Sequence, residues 1–471
     1  MKIFIKWSLV AAAVFTSALI NAQTSGESQR TDEHQKSARE IFRELIEINT
    51  TSDIGSTKAA EAMAARLKVG GFPTDDIHVV GPQPQHMNLV VRLRGKGIRP
   101  PVLFIGHLDV VEALPQDWSF DPFKFLEKDG YFYGRGTTDM KNEDADLIAN
   151  LIRLRQEGYF PDRDIIVALT DGEEGGDYNG IEWLLGNHRD LIDAEYCINP
   201  DGGGGSIRDG KEIIMTIQTS EKIYMDFTME THNNGGHSSL PVRDNAIYSL
   251  ANALRKLADY SFPLELNETT RIYFERNAQQ ETGQTKADML RMAKLTVDTS
   301  AANRLAKISP IYNSKMRTTC VATMLSGGHA QNALPQTAKA NINCRMLPGG
   351  NPDNILAVLT EIVNDPQVTI SLAYTSTVSP LSPLRKDVLG SLDRLTASMW
   401  PGVVVTPDMS TGATDGRLLR AAGIPVYGIS GMFGDLDDIR AHGKDERIGV
   451  KEFYKGVEFM YRFIKAVTSG S

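Results

Sequence analysis

Apolar and polar positions along the chain repeat with two different periods. Residues 37–48 place Ile41, Leu45 and Ile46 on one face at helical spacing, and residues 57–68 repeat the pattern, so both read as amphipathic helices. Apolar runs follow at "NLVVRLRG", "PVLFIG", "IIVALT" and "CINP", with the helical pattern "ADLIANLIRLRQEG" between the second and third. Strand and helix in alternation predict an α/β fold, a mostly parallel sheet flanked by helices.

The period changes at about residue 218. "KIYMDFTMETH" alternates as a half-exposed strand does, and a helix over 244–258 carries Ile247, Leu250, Leu254 and Leu257. Alternating strands over 318–326 and 336–346, a helix over 352–365 and a strand over 367–375 complete a β-α-β-β-α-β order, which is that of a ferredoxin-like α+β module. Segment 260–317 is long for a connection, and "ERNAQQETGQTKADMLRMAKL" within it reads as further helix; the segment is expected to shape a substrate pocket. From about 380 the first pattern returns, with the helix "VLGSLDRLTASMW", the strand "PVYGIS" and a last helix over 451–467. The expected organisation is one α/β domain, residues 23–217 and 379–471, interrupted by a module of residues 218–378.

The N-terminus changes where this protein is expected to reside. Lys2 and Lys6 precede the apolar stretch "WSLVAAAVFTSALI", which ends in the small-residue site "INA" before Gln23, so residues 1–22 read as a secretory signal peptide. The apolar run is shorter than the roughly 18 residues a bilayer span needs, and no cysteine follows that could carry a lipid. The mature chain is therefore expected to be periplasmic or secreted, with no membrane attachment once the leader is removed. Its remaining length of about 450 residues exceeds what one hydrophobic core usually serves. Apolar residues at 41% and charged residues at 23% are ordinary for a soluble globular protein. A net charge of -9 without a basic cluster argues against nucleic acid as a partner. Cys197, Cys320 and Cys344 are an odd number, so at least one thiol is free; all three lie in strand-like contexts where buried thiols are common, and a Cys320–Cys344 bridge stays open. The absence of any CxxC pair counts against a thiolate zinc site.

Candidate chemistry collects at strand ends, where open α/β sheets bind ligands. "PVLFIG" leads to His107 and Asp109, "IIVALT" to Glu173 and Glu174, and "CINP" to Asp201. "YGRGTTDMK" adds Asp139 before a helix, and "RAHGKDERI" adds His442 after the strand "PVYGIS". Each piece has an ordinary reading: a satisfied buried histidine for His107, a helix N-cap for Asp139. "GRGTTD" does not directly follow a strong strand and carries Asp139 where a dinucleotide loop needs its third glycine; "DGEEGGD" puts Gly175 where a calcium loop needs a ligand; "GISG" lacks the spacing of a nucleophile elbow. None of these readings explains the convergence. Grouped carboxylates without a basic partner repel unless protonated or bound to a cation, and mixed oxygen and imidazole donors suit zinc. Two histidines and three acids can supply two sites sharing a bridging carboxylate. One glutamate is then left over to act as a base beside an activated water.

"GHLDVV", "GRGTTDMK", "TDGEEGG", "INPDGG", "GGHSSLP", "NCRMLPG", "STGATDGR" and "AHGKDERI" occur in the order seen in the M20 family of metallopeptidases, which includes carboxypeptidases, dipeptidases, aminoacylases and desuccinylases. The chain resembles that family from about residue 37 to its end. The resemblance implies His107 and Asp201 as ligands of one zinc, Glu174 and His442 of the other, and Asp139 as the bridge, with Co2+ or Mn2+ as alternative metals. It implies Asp109 as the carboxylate that orients His107, and Glu173 as the catalytic base. The inserted module then matches a lid and dimerisation domain, in which His237 of "GGHSS" stabilises the oxyanion and Asn332 and Arg345 contact the substrate, the arginine through its carboxylate. Gly412 of "STGATD" matches a loop beside the leaving group.

Two positions depart from the family pattern. Asn142 stands where a small residue is usual. Asp201 stands where many acylases have glutamate, which tilts the expectation towards a peptide substrate. The expected activity is a di-zinc hydrolase cleaving an amide bond next to a free carboxylate, as a carboxypeptidase or dipeptidase. An N-acyl amino acid amidohydrolase is the nearest alternative. A non-catalytic periplasmic binding protein is a third reading, opposed by the retention of Glu173 together with all five ligands.

Overall fold

Six strands form the first sheet of the computed structural model, which describes residues 33–469; the signal peptide expected at 1–22 lies outside the described residues. In spatial order they are Ile77–Gln83, His86–Leu93, Ile165–Thr170, Val102–His107, Tyr196–Ile198 and Val426–Tyr427. The last four run parallel to one another, and the first two are antiparallel additions at one edge. Val102–His107 and Ile165–Thr170 are buried at every position, which is why they read as unbroken apolar runs. The helix over 33–47 joins Thr57–Val69, Lys141–Gln156 and Val450–Thr468 on one face, where Phe42, Met63, Leu151 and Phe459 share a core. Ile181, Leu184 and Leu419 cover the opposite face.

A second sheet was not foreseen from the sequence. Its order is Val404–Ser410, Lys211–Glu221, Gly204–Arg208, Phe433–Asp435. Glycines and a three-residue edge strand hide it from any periodicity argument. Gly205 is required there, because a Cβ would lie 2.2 Å from the Phe433 ring. Strand Lys211–Glu221 runs through residue 217, and the chain passes to the inserted module at Lys222. This lysine is buried, and its Nζ donates to the carbonyls of Ser314 (3.0 Å) and Arg317 (2.8 Å).

The inserted module has the ferredoxin-like topology expected. Its strands lie in the order Thr319–Gly327, Thr337–Met346, Ile223–His232, Val368–Thr375, all antiparallel, with Ala246–Asp259 and Pro352–Val363 packed on one face. Cys320 and Cys344 face each other in register and are disulfide-bonded, whereas Cys197 is a buried free thiol.

Segment 260–317 is helical, as its composition suggests, with helices Glu268–Asn277, Gly283–Met292, Thr299–Ile308 and Pro310–Met316. They close on their own core of Phe274, Met289, Leu305 and Met316. The insert docks on the outer strand of the second sheet: Arg276 Nη1 donates to the Val405 carbonyl at 2.5 Å, and Lys315 Nζ donates to the Met409 carbonyl at 2.8 Å. None of its residues lines the cavity beside Asp201, and its Ser314 and Arg317 carbonyls take the Lys222 ammonium at the junction. No described helix is long and apolar enough to cross a membrane.

Candidate metal centre

The turn after Ile165–Thr170 carries the two adjacent glutamates, and its shape depends on Gly172. That residue has φ 84°, and a Cβ on it would fall 1.9 Å from the Tyr178 carbonyl oxygen. The turn is then fixed from beneath. Asp109, 1% exposed, accepts the N–H of Glu173 on Oδ1 (3.2 Å) and that of Glu174 on Oδ2 (2.9 Å). Both carboxylate oxygens are thereby committed. His107 Nδ1 instead donates to the Asp109 main-chain carbonyl at 3.0 Å, with Asp109 Oδ1 at 3.7 Å. Asp109 therefore orients His107 through its backbone, and its carboxylate serves the glutamates.

A carbonyl can only accept, so the hydrogen bond at Nδ1 turns His107 Nε2 towards Asp139, whose Oδ1 lies at 3.1 Å. Asp139 Oδ2 is 3.0 Å from His442 Nε2, and that same nitrogen is 2.8 Å from Glu174 Oε1. Asp139 thus stands between two imidazoles. His442 reaches it from a left-handed backbone conformation, φ 61°. Donor atoms of His107, Asp139 and Glu174 all lie within 4.8 Å of one another. Asp201 follows in the turn Pro200–Gly202, half-buried near His107 and Asp139; among the described residues no hydrogen bond joins it to either.

The charges show what the cluster needs. Burial raises Glu173 well above the ordinary carboxylate range against the pull of His107, with Asp415, Asp201 and Glu174 adding to the rise. Burial raises Glu174 too, reinforced by Asp139, and takes Asp201 to about 7. Burial also disfavours charge on Asp139, but its bonds to the two histidines outweigh this and hold it below its usual value. His442 is pushed up to about 9 by Asp139 and Glu174 despite partial burial. His107 is carried well above its ordinary value by Asp139, Asp109 and Glu173, although burial opposes it. Without a cation, such a cluster must retain protons on groups that would otherwise shed them. A site offering imidazole nitrogens and carboxylate oxygens at these separations fits divalent metal.

Sequence reasoning missed Glu446, a fully buried carboxylate. It accepts the N–H groups of Gly136 (3.1 Å), Thr138 (2.7 Å) and Asp139 (3.2 Å), the Thr138 hydroxyl (2.9 Å), and a hydrogen bond from Arg135 (2.7 Å). Glu446 belongs to the loop bearing His442, so one residue ties two proposed ligands together. Its position in "HGKDERI" was the available signal. Asp415 was missed as well; it accepts from Asn179 Nδ2 at 2.6 Å and so links the glutamate turn to the "STGATD" loop.

The inserted module brings its candidates together in two places. His237 and Asn332 meet at the short ladder Gly236–His237 with Ala333–Leu334, where Ser238 N–H donates to the Asn332 carbonyl at 2.9 Å. His237 Nδ1 accepts from Ser239 N–H (3.2 Å) and lies 2.7 Å from its hydroxyl. In neutral imidazole this leaves the proton on Nε2, a donor facing outward. Arg345 lies over the Tyr224 ring, 4.6 Å from its centroid, and donates to the Thr411 carbonyl at 3.3 Å, beside Gly412. Among the described residues no hydrogen bond or ion pair joins His237, Asn332 or Arg345 to the metal cluster.

Comparison with known proteins agrees with this geometry. A model of Peptidase family M20/M25/M40 matches residues 103–466. The N-fatty-acyl-amino acid synthase/hydrolase PM20D1 of Xenopus tropicalis is 28% identical over 377 residues, 78% of this chain and 72% of that protein. The probable carboxypeptidase S-like 2 of Dictyostelium discoideum is 28% identical over 378 residues, 78% of this chain and 71% of that protein. Among solved structures, the M20 family metallo-carboxypeptidase Sso-CP2 of Sulfolobus solfataricus superposes with a TM-score of 0.67 over 92% of this chain and 99% of that one, at 16% identity.

Proposed function

The chain belongs to peptidase family M20/M25/M40, hydrolases of peptide and amide bonds, and from this premise we propose that it cleaves an amide standing next to a free carboxylate with two metal ions, most simply zinc. The observation that carries the reading is the unequal pair. Asp109 clamps the two glutamates alike, yet Glu174 is spent on His442, while the Glu173 carboxylate has no hydrogen-bond partner among the described residues. In this reading one holds metal and the other moves a proton.

His107, Asp139, Glu174, Asp201 and His442 would hold the ions. Bound there, divalent metals polarise a carbonyl and bring water within about one unit of pKa 7. Glu173 takes a proton from the attacking water and returns it to the leaving nitrogen. Its carboxylate, with no hydrogen-bond partner among the described residues, is free for both transfers. His237 Nε2–H, turned outward by Ser239, donates to the carbonyl oxygen as negative charge grows there. Arg345 pairs with the substrate carboxylate and Asn332 contacts the substrate; the Gly412 loop lies alongside.

A carboxypeptidase or dipeptidase is the first reading of the substrate. Hydrolysis of N-acyl amino acids is the second, favoured by the likeness to the Xenopus protein. The leader at 1–22 and the Cys320–Cys344 bridge both support export to an oxidising compartment. The edge strand Thr319–Gly327 leaves Val321, Met324 and Leu325 59%, 71% and 70% exposed, which supports a homodimer through this module. Turnover of a panel of dipeptides, N-acyl amino acids and their C-terminal amides tests the reading. Metal-dependent cleavage confined to free carboxylates is expected; equal cleavage of the amides would overturn it.

A further inference from the structure

A cavity beside the metal cluster has a volume of about 480 Å3, within the range usual for small-molecule sites. Thr138 and Met140, on either side of Asp139, line it, as do Asp201 and Ala441, the neighbour of His442. It therefore opens on the cluster. Its far wall is made by strands Gly204–Arg208 and Phe433–Asp435, at one edge of the second sheet. Arg345 bonds to Thr411, which follows Val404–Ser410 at the other edge. Three strand spacings separate these edges, about 14 Å. For a substrate whose carboxylate rests on Arg345, with its amide at the metals, this cavity offers room to the acyl-side arm.

The cavity floor is the first turn of helix Lys141–Gln156, and two acceptors there lack donors. Asn142 and Glu143 are 3% and 4% exposed. Glu143 Oε1 accepts from the Ser430 hydroxyl and Asn142 Nδ2 contacts Met432 Sδ, but Glu143 Oε2 and Asn142 Oδ1 have no partner among the described residues. Buried acceptors are expensive to leave unpaired. Carboxylates lining the cavity outnumber cationic side chains six to three. The cations are engaged: Arg440 and Arg447 both bind Asp438, at 2.6 and 2.7 Å, and Lys451 lies 3.8 Å from Glu212 and Glu452. An aliphatic chain in this space would leave both acceptors bare, whereas an ammonium offers three donors and a compensating charge.

We propose that this cavity is the subsite for the acyl-side arm of the substrate and that it selects a protonated amine, held by Glu143 and Asn142. Met140, Met432 and Leu436 accommodate the carbon stem, and the acceptors take the head. The assignment rests on reading the cluster as a metal-dependent amide hydrolase.

Three substrates with one scissile bond and one free carboxylate test it. Alanyl-leucine carries an α-ammonium, N-acetyl-lysyl-leucine a side-chain ammonium, and N-acetyl-norleucyl-leucine none. At least one amine-bearing substrate is expected to exceed the amine-free one in kcat/KM by about tenfold or more, the size of a charged hydrogen bond. The favoured substrate shows which amine is read. Glu143→Gln, which keeps shape and the Ser430 contact, should lower that ratio at least tenfold, and Asn142→Leu should lower it less. If neither variant folds, inhibition of the unaltered enzyme by n-butylammonium, competitive with the favoured substrate, is expected in their place. Equal or faster cleavage of N-acetyl-norleucyl-leucine, a ratio that survives Glu143→Gln, or no inhibition by butylammonium would overturn the subsite. Failure of the metal-loaded protein to cleave all three would instead refute the hydrolase reading on which it rests.

Discussion

Glu174 and His237 each follow a strand and a glycine, but they are held in opposite ways. The main chain of Glu174 rests on a buried carboxylate at 2.9 Å, and its side chain meets His442 at 2.8 Å. His237 is exposed on a ladder two residues long, and its ring is tied only to Ser239. His107, Asp139, Glu174 and His442 already meet within one domain, before any substrate arrives. The inserted module presents its groups pre-oriented but not bonded to the cluster, so the roles proposed for them require the module to close over it. Buried carboxylates in the first region create a demand for cations. In the proposed reaction the second region supplies donors for a substrate's oxygen and carboxylate, from the exposed His237 and the half-buried Arg345.

If the contrast is right, damage to the first region abolishes chemistry and damage to the second attenuates it. Stripping metal with a chelator should remove all detectable turnover, and zinc should restore it; the assay is activity against metal content. Full activity in metal-free protein would break the comparison outright. His237→Ala should lower kcat by about a hundredfold or more, as for other lost oxyanion donors, with metal content unchanged. Loss of metal in that variant would mean that the two regions are not separable.

The contrast also sharpens around Glu446, which touches neither metal nor substrate. Glu446→Gln keeps the size but removes the charge that gathers three N–H groups of the Asp139 loop, so metal affinity should fall by about 10- to 100-fold. Titration with a competing chelator measures this. Excess metal should restore most of the rate, since the ligands themselves remain. An unchanged affinity would show that the Asp139 loop holds its shape unaided.

These two regions also differed in how far the sequence revealed them. The fully buried strands and the ferredoxin-like order were legible because burial on two faces, or on one, writes itself into local periodicity. His107, Asp139, Glu174 and His442 were legible as a group because strand ends converge on one edge. Glu446 was not, because its role is to accept main-chain N–H groups from a loop more than three hundred residues away in sequence, and no spacing encodes that. Asp109 was assigned a partner on the pattern of His107, two residues away, while its carboxylate turned to backbone groups that carry no side-chain signature. The second sheet escaped because Gly203 to Gly205 have no side chains to alternate. Segment 260–317 announced its helices but not the surface they dock on, which depends on Arg276 and Lys315 meeting a strand 129 and 94 residues later.

The central claim is that two adjacent glutamates under one aspartate do different work. It is tested most directly by measuring bound metal and kcat together in Glu173→Gln and Glu174→Gln. The account predicts two metal equivalents and a kcat lower by several orders of magnitude for the first, and a weakened metal site for the second. Normal metal content with a nearly normal rate in both would contradict it.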